Sequence, residues 1–365
     1  MNIKKRTVML TLTNRCNLNC VYCYEKNKNE KEMSFETAKR IIDEEILYSS
    51  DGYEEIEFDL FGGEPFLNFK LFQQIVEYIC DNKWPLKTVC FTTTNGTLVH
   101  GYICNWLKDN SDRVKCALSL DGTRYMHNIN RNESFDRIDI DFFRECYPEQ
   151  RAKMTISNLT LPYVAEGVIF LHNKGFNVSA NLAYGISWSN KQYYEIFKNQ
   201  LDMLVDFYFT HPNIKPSHLF DINIETIGMK LNNDKYFYKY CGSGIHMCAY
   251  NVDGKKYPCQ MFMPITKDYK KHPIPLIREK YSIDELDLKC KNCVINRICP
   301  TCIGMNYNYT GRLFSKSDDY CKMMRLQFKA ISKLKYLQYI HGQLNIDEKR
   351  QLALLKAIQL IQNNL

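Results

Sequence analysis

Along the first half of the chain, short runs of alternating apolar and polar residues are separated by stretches whose apolar positions return every three or four residues. The runs TVMLTLT (7–13), EIEFDLF (55–61), TVCFTTT (88–94), KCALSL (115–120), MTISNL (154–159) and NVSANLAY (177–184) read as strands, each followed by a turn holding Gly, Asn or Asp. Between the first two, Ser34 is placed as an N-cap, and Phe35, Ala38, Ile41, Ile42 and Ile46 keep the spacing of one helix face. A helix from Pro162 to about Lys174 is predicted to stop at Gly175. Strand and helix thus alternate as βα units. Six units are fewer than a closed barrel needs, so the expected fold is α/β, a partial (β/α)6 TIM-like barrel with its chemistry at the C-terminal strand ends. From 190 to 240 the chain reads as a Tyr/Phe-rich helical bridge, and beyond Cys321 as amphipathic helix. The expected organisation is a core at 1–189, a helical bridge at 190–240, a cysteine-rich domain at 241–325 and basic helices at 326–365.

Composition narrows the class. The chain has 365 residues, 45% hydrophobic and 24% charged, which is enough for real cores. It has no run of eighteen apolar residues and no secretory signal at its start, so a cytoplasmic protein without a membrane partner is expected. Of the net +7, +6 sits in residues 322–365, where eight Lys/Arg face only Asp347 and Glu348. Such a tail reads as a solvated helix face or as a dock for an acidic peptide. Nucleic-acid binding is not expected, because the basic residues are not interleaved with stacking aromatics outside the tail.

Sixteen cysteines in a reducing compartment point to thiolate ligation of metal rather than to disulfides. Eleven fall in two groups, Cys16 to Cys23 and Cys241 to Cys321. The remaining five, Cys80, Cys90, Cys104, Cys116 and Cys146, read as small buried hydrophobes. Cys16, Cys20 and Cys23 form C-x3-C-x2-C in the loop after the first strand. Three thiolates can hold three corners of a 4Fe-4S cube and leave the fourth iron open, whereas structural zinc would want a fourth protein ligand.

With that loop the sequence resembles the radical S-adenosylmethionine (radical SAM) enzymes, whose Cx3CxΦC motif reads here Cys16, Cys20, Tyr22, Cys23. Gly62-Gly63-Glu64-Pro65 after the second strand, Thr93-Thr94-Asn95-Gly96 after the third, Ser119-Leu120-Asp121-Gly122 after the fourth, and His127-Asn128-Ile129-Asn130-Arg131 are similar to the same family. The resemblance implies a reduced cluster that cleaves SAM to methionine and a 5′-deoxyadenosyl radical. It implies SAM contacts at Tyr22 (adenine), Gly62, Gly63 and Glu64 (ammonium), Asn95, Ser119 (ribose or carboxylate) and Arg131 (carboxylate), with Asn181 on the sixth strand as a further ribose candidate. The glycines would let backbone approach the ligand.

The second group reads C-x6-C-x5-G-x4-C from Cys241, then Cys290-x2-Cys293-x5-Cys299-x2-Cys302 and Cys321. Eight thiolates suit two 4Fe-4S clusters, and paired CxxC units alone would equally suit zinc. After a radical SAM core the pattern resembles the SPASM domain, which implies two auxiliary clusters and three clusters in all. By that resemblance Cys241, Cys259 and Cys302, with Cys248 as fourth ligand, hold the first, and Cys290, Cys293, Cys299 and Cys321 hold the second. Cys299 and Cys302 are one residue closer than the family pattern.

Two kinds of radical SAM/SPASM enzyme come into question. Anaerobic sulfatase-maturing enzymes, which form formylglycine, carry an Asp base after the cysteine matching Cys259; here Gln260 stands there, and an amide cannot take the proton. Maturases of ribosomally made peptides, which install thioether or carbon–carbon cross-links, are the favoured reading. Implied partners are a leader-bearing peptide, a flavodoxin or ferredoxin-type electron donor and a separate leader-recognition protein, since only six residues precede the first strand. The basic tail or the Tyr-rich stretch from Tyr193 to Tyr240 is the candidate leader site. No general base is nameable from the sequence: of eight histidines, His127 belongs to the SAM-type loop and His246 lies between cluster cysteines. A zinc protein binding nucleic acid would leave GGEP, TTNG and SLDG unexplained, and a ferredoxin would not need the βα core.

Overall fold

A computed structural model describes residues 4–229, 235–266 and 273–365. The elements run β1 (Lys5–Thr13), α1 (Phe35–Ser50), β2 (Glu55–Gly62), α2 (Phe69–Asp81), β3 (Lys87–Thr94), α3 (Gly101–Asp109), β4 (Val114–Leu118), α4 (Arg124–Asn130), α5 (Ile140–Cys146), β5 (Arg151–Ile156), α6 (Val164–Asn173) and β6 (Asn177–Leu182). They continue α7 (Gln192–Thr210), α8 (Glu225–Gly228), β7 (Tyr236–Tyr238), β8 (Met247–Tyr250), β9 (Lys256–Tyr257), β10 (Lys280–Ser282), α9 (Leu288–Lys291), α10 (Ile303–Thr310), α11 (Asp318–Ile340) and α12 (Glu348–Asn364). All six expected strands form. The Ser34 hydroxyl accepts from the Thr37 N–H to cap α1, and Gly175, at φ +85°, follows α6 in the left-handed conformation that ends it. β5 stops at Ile156, short of the expected 159, because the Ser157 hydroxyl accepts the N–H groups of Leu159 and Thr160 and turns the chain.

The chain divides into two compact units. The first takes the described residues of Met1–Leu120, His127–Lys153 and Gly242–Arg278. Its sheet has the order β4-β3-β2-β1-β8-β9, parallel throughout except that β9 runs antiparallel to β8. Val8, Leu10, Ile56, Phe58 and Leu60 are fully buried, as are Ile41 and Ile42 of α1 and Phe72 and Ile75 of α2. Across the strands Met9, Asp59, Phe91 and Lys115 stand side by side. Beyond β4 a single parallel bridge, Ser119 to Lys153, reaches β5.

β8 is the unforeseen part of this sheet. The apolar run of β1 leaves a hydrogen-bonding edge on the side away from β2, and Met247–Tyr250 fills it in parallel. The described residues of 242–278 therefore share a unit with β1 rather than with the cysteines that follow them.

The second unit comprises Asp121–Met126, Met154–Cys241 and Glu279–Leu365. In it α7 packs on α11 and α12 on α8, with the Gln327 side chain donating to the Leu219 carbonyl at 2.9 Å. The expected helical bridge is helical only at α7 and α8: Pro212 and Pro216 follow α7, and proline supplies no N–H to continue a helix. Residues 230–234 of that bridge lie outside the described residues. No helix among the described residues is long and apolar enough to cross a membrane.

Candidate cofactor and cluster sites

The loop carrying Cys16, Cys20 and Cys23 leaves β1 at the C-terminal edge of the sheet. It is tied down along its length: Cys23 N–H donates to the Cys20 carbonyl, Val21 N–H to Asn130, and Asn27 N–H to Ile265, each at 3.0 Å. All three thiols are partly exposed, and burial pushes Cys16 up to about 11. The Lys28 ammonium donates to the Leu18 carbonyl at 3.2 Å and feels the charge of all three cysteines. Three thiols acting on one half-buried cation suit an anionic thiolate-bound cluster. Among the described residues no three His, Cys, Asp or Glu side chains close on one point as ligands of a single ion would. A cube differs in this, because each thiolate takes a separate iron.

The glycines of Gly62-Gly63-Glu64-Pro65 have a use that the sequence did not reveal. A Cβ on Gly63 would stand 2.1 Å from the Arg15 carbonyl oxygen, and one on Gly62 2.7 Å from that of Thr13. They admit the cysteine loop itself, which Gly63 N–H and Glu64 N–H secure by donating to Thr13 and Arg15 at 3.0 and 2.8 Å. Glu64 is 1% exposed, and its carboxylate accepts from Thr94 Oγ1 at 2.7 Å, Asn95 N–H at 2.8 Å and Phe66 N–H at 3.3 Å. Burial pushes this carboxyl up to about 7, against those donors and Arg131. Asn95 also reaches the cysteine loop, its Nδ2 donating to Asn17 Oδ1 at 2.9 Å, while Asn17 Nδ2 donates to Thr97 Oγ1 at 2.8 Å. The GGEP and TTNG turns thus brace the cysteine loop.

The Arg131 guanidinium lies 5.5 Å from the Tyr22 ring centroid, and both residues are buried. Ser119 sits on the bridge to Lys153 and donates its N–H to the Thr94 carbonyl at 2.9 Å. Asp121 is buried and accepts from the Thr155 N–H at 2.8 Å. Asn181 belongs to the second unit, where it is exposed and lines a cavity of about 200 Å³ with Cys241 and Cys302.

In that unit Cys290, Cys293, Cys299 and Cys321 come within electrostatic reach of one another. Lys316 Nζ donates to Cys299 Sγ at 2.8 Å. Cys241 and Cys302 share the 200 Å³ cavity with Tyr184 and Tyr320, whose rings stack at 5.3 Å.

Cys259 and Cys248 lie in the first unit, where Cys248 packs against side chains of β1 and α1. It is buried on β8 with its Sγ 3.4 Å from Arg6 Nη2 and 3.6 Å from Glu45 Oε1, and burial pushes its thiol up to about 12. The reason is the β1–β8 pairing, which turns Cys248 and Tyr250 together toward Glu45. Cys248→Ala is expected to leave the iron content of reconstituted protein unchanged and to cost about 1 kcal/mol in urea unfolding. Loss of about four irons would return Cys248 to the ligand set.

Sequence reasoning missed the polar group on the sheet face beside Met9. Asp59 Oδ1 is buried without a hydrogen-bond partner among the described residues, and burial pushes the carboxyl up to about 7, with Lys153 opposing. Lys153 Nζ donates to Thr93 Oγ1 at 2.9 Å and lies 4.8 Å from the Phe91 ring centroid. The signal was present in the strand pattern, since Asp at an alternating position of EIEFDLF must face the side opposite Phe58 and Leu60. Of the five isolated cysteines only Cys90 and Cys116 are buried; Cys104 and Cys146 are partly exposed. Cys80 is exposed on the last turn of α2, and a hydrogen bond with Cys90, helped by Arg113, brings its thiol down to about 7 despite partial burial.

Comparison with known proteins places these features in context. Residues 5–129 match the family described as a 4Fe-4S single cluster domain. An uncharacterized protein of Methanocaldococcus jannaschii is 35% identical over 170 residues, covering 45% of this chain and 57% of that protein. A probable GTP 3′,8-cyclase of Methanococcus maripaludis is 33% identical over 121 residues, covering 33% and 39%. The radical SAM cyclopropyl synthase TigE of Paramaledivibacter caminithermalis is 26% identical over 145 residues, covering 35% and 30%. The chain spans about half or less of the length of these curated relatives. Among solved structures, native anSMEcpe with bound AdoMet and Cp18Cys peptide shares the fold at a TM-score of 0.67 and 19% identity, over 93% of this chain and 100% of that one. Streptococcus suis SuiB bound to precursor peptide SuiA does so at 0.53 and 15%, over 87% and 76%.

Proposed function

We propose that the chain is a radical SAM protein of the SPASM type and that it modifies a ribosomally made peptide by installing a thioether or carbon–carbon cross-link. The observation that carries this reading is the cysteine loop braced by the GGEP and TTNG turns around Lys28. Two chains of the same fold, anSMEcpe and SuiB, were solved with peptides bound, which supports a peptide as the substrate class. When bound, the clusters supply the electron that splits SAM into methionine and a 5′-deoxyadenosyl radical and a sink for the electron left after cross-linking.

The chain's own residues do the rest. Cys16, Cys20 and Cys23 would hold the SAM cluster. In the second unit Cys241 and Cys302 would serve the first auxiliary cluster, and Cys290, Cys293, Cys299 and Cys321 would hold the second. Glu64 would take the SAM ammonium and Arg131 its carboxylate, with Tyr22, Asn95 and Ser119 along the nucleoside. Tyr22 keeps Arg131 in place through its ring face. Asp59 supplies the proton acceptor that the sequence left unnamed: a carboxyl near 7 beside Lys153 is matched to accept a proton at neutral pH. A flavodoxin or ferredoxin-type protein would deliver electrons. In the second unit Lys198, Lys329 and Lys333, the last paired with Asp202 at 2.7 Å, line a groove of about 530 Å³ together with Leu201, Leu326 and Ile358, and its net positive charge suits an acidic leader segment.

The test is anaerobic. Reconstituted protein is expected to carry about twelve irons and to release 5′-deoxyadenosine from SAM with dithionite, and the Cys16/Cys20/Cys23→Ala protein to keep about eight irons and release none. Full iron loading without SAM cleavage in the wild type would overturn the radical reading, and four irons in all would remove the auxiliary clusters.

A further inference from the structure

Lys316 is a cation of the second unit held directly against a candidate cluster sulfur. Its Nζ donates to Cys299 Sγ at 2.8 Å, and the charges of Cys290 and Cys321 also act on it. The backbone around it is fixed. Its carbonyl accepts from Lys289 Nζ at 2.6 Å, the same amine pairs with Asp318 at 2.6 Å, and Ser317 caps α11 by accepting the Tyr320 N–H. The side chain lines a small cavity of about 20 Å³ beside Cys290 and Cys299, with room for about one water. Nearby Lys289 and Lys291 have carboxylate partners in Asp318 and Asp284 and Lys239 donates to the Cys241 carbonyl, whereas Lys316 donates to sulfur.

We propose that Lys316 sets the reduction potential of the second auxiliary cluster, raising it by donating a charged hydrogen bond to the Cys299 thiolate. The physics is that of any iron–sulfur site: reduction adds one negative charge, a neighbouring positive charge and N–H···S bond stabilise the reduced form more than the oxidised one, and burial keeps the effect from being screened. The consequence for the proposed function, on which this inference rests, is directional. A cluster of raised potential is the better acceptor for the electron left after cross-link formation, so Lys316 orients electron flow away from the substrate. Lys316 here is a positioning residue that acts through the cluster and touches no substrate.

The experiment is a redox titration, followed by electron paramagnetic resonance, of the full chain carrying Cys16/Cys20/Cys23→Ala, so that only auxiliary clusters report. In that background Lys316→Met is expected to retain about eight irons and to move one of two one-electron waves to lower potential. The shift should be at least the 59 mV that corresponds to a tenfold change in the reduced-to-oxidised ratio. The other wave stays in place as an internal reference, and Lys316→Arg, which keeps the charge, titrates close to the parent. A Met variant with full iron and an unmoved wave overturns the assignment. Should Met cost the cluster, the comparison of Lys316→Gln with Lys316→Arg decides it, and equal potentials in those two overturn it. A parent protein with only four irons and a single wave overturns both this assignment and the second auxiliary cluster.

Discussion

Gly63→Ala is expected to cost the protein its SAM-type cluster. The added Cβ would lie 2.1 Å from the Arg15 carbonyl oxygen and 2.6 Å from its carbon, a clash with backbone that no rotamer relieves. The loop must retreat, and with it go the hydrogen bonds from Gly63 and Glu64 to Thr13 and Arg15. Cys16 follows Arg15 directly, so a displacement of that size moves a ligand. Iron should fall from about twelve to about eight, and 5′-deoxyadenosine release should drop to the level of the triple cysteine variant. Gly52→Ala, whose nearest neighbour is the flexible end of Lys4 at 3.7 Å, is the control expected to behave as wild type. A Gly63→Ala protein with full iron and normal SAM cleavage would show that the glycine is not what admits the loop.

Glu45→Ala should lower stability by about 3–5 kcal/mol, because it leaves the Arg6 charge buried without its partner. Arg6 and Glu45 are 3% and 2% exposed. Arg6 Nε donates to Glu45 Oε2 at 2.8 Å, Arg6 Nη1 to the Ile245 carbonyl at 3.0 Å, and Tyr250 Oη to Glu45 Oε1 at 2.6 Å. Lys256 pairs with the same carboxylate from the surface, and the Arg6 guanidinium stacks 4.6 Å from the Tyr48 ring centroid. One carboxylate therefore ties α1, β1, β8 and β9 together. The measurement is the first urea transition of reconstituted protein. The double variant Arg6→Met/Glu45→Leu should recover most of the loss, since two apolar side chains leave no orphan charge. If Glu45→Ala unfolds at the wild-type midpoint, the latch holds nothing.

Local pattern determined a good deal by itself. The six strands, the Ser34 cap and the Gly175 stop depend on residues within a few positions of one another, and alternation, capping chemistry and left-handed glycine act at that range. The Cys16–Cys20–Cys23 spacing and the turns after β2 and β3 were legible for the same reason, because each is one continuous segment. What the sequence could not contain was which segment closes the free edge of β1. Met247–Tyr250 is four residues long, too short to announce a strand, and its pairing is settled by a partner some 240 positions away. That choice placed Cys248 beside Arg6 and Glu45. It also follows that the double glycine of GGEP serves the approach of the Thr13–Arg15 backbone, and that Asp59, Thr93 and Lys153 gather on one sheet face, since register between strands is a property of the packed sheet. Chemistry carried by consecutive residues can be read from the sequence; chemistry made by bringing distant strands to 4.8 Å spacing exists only once the sheet has formed.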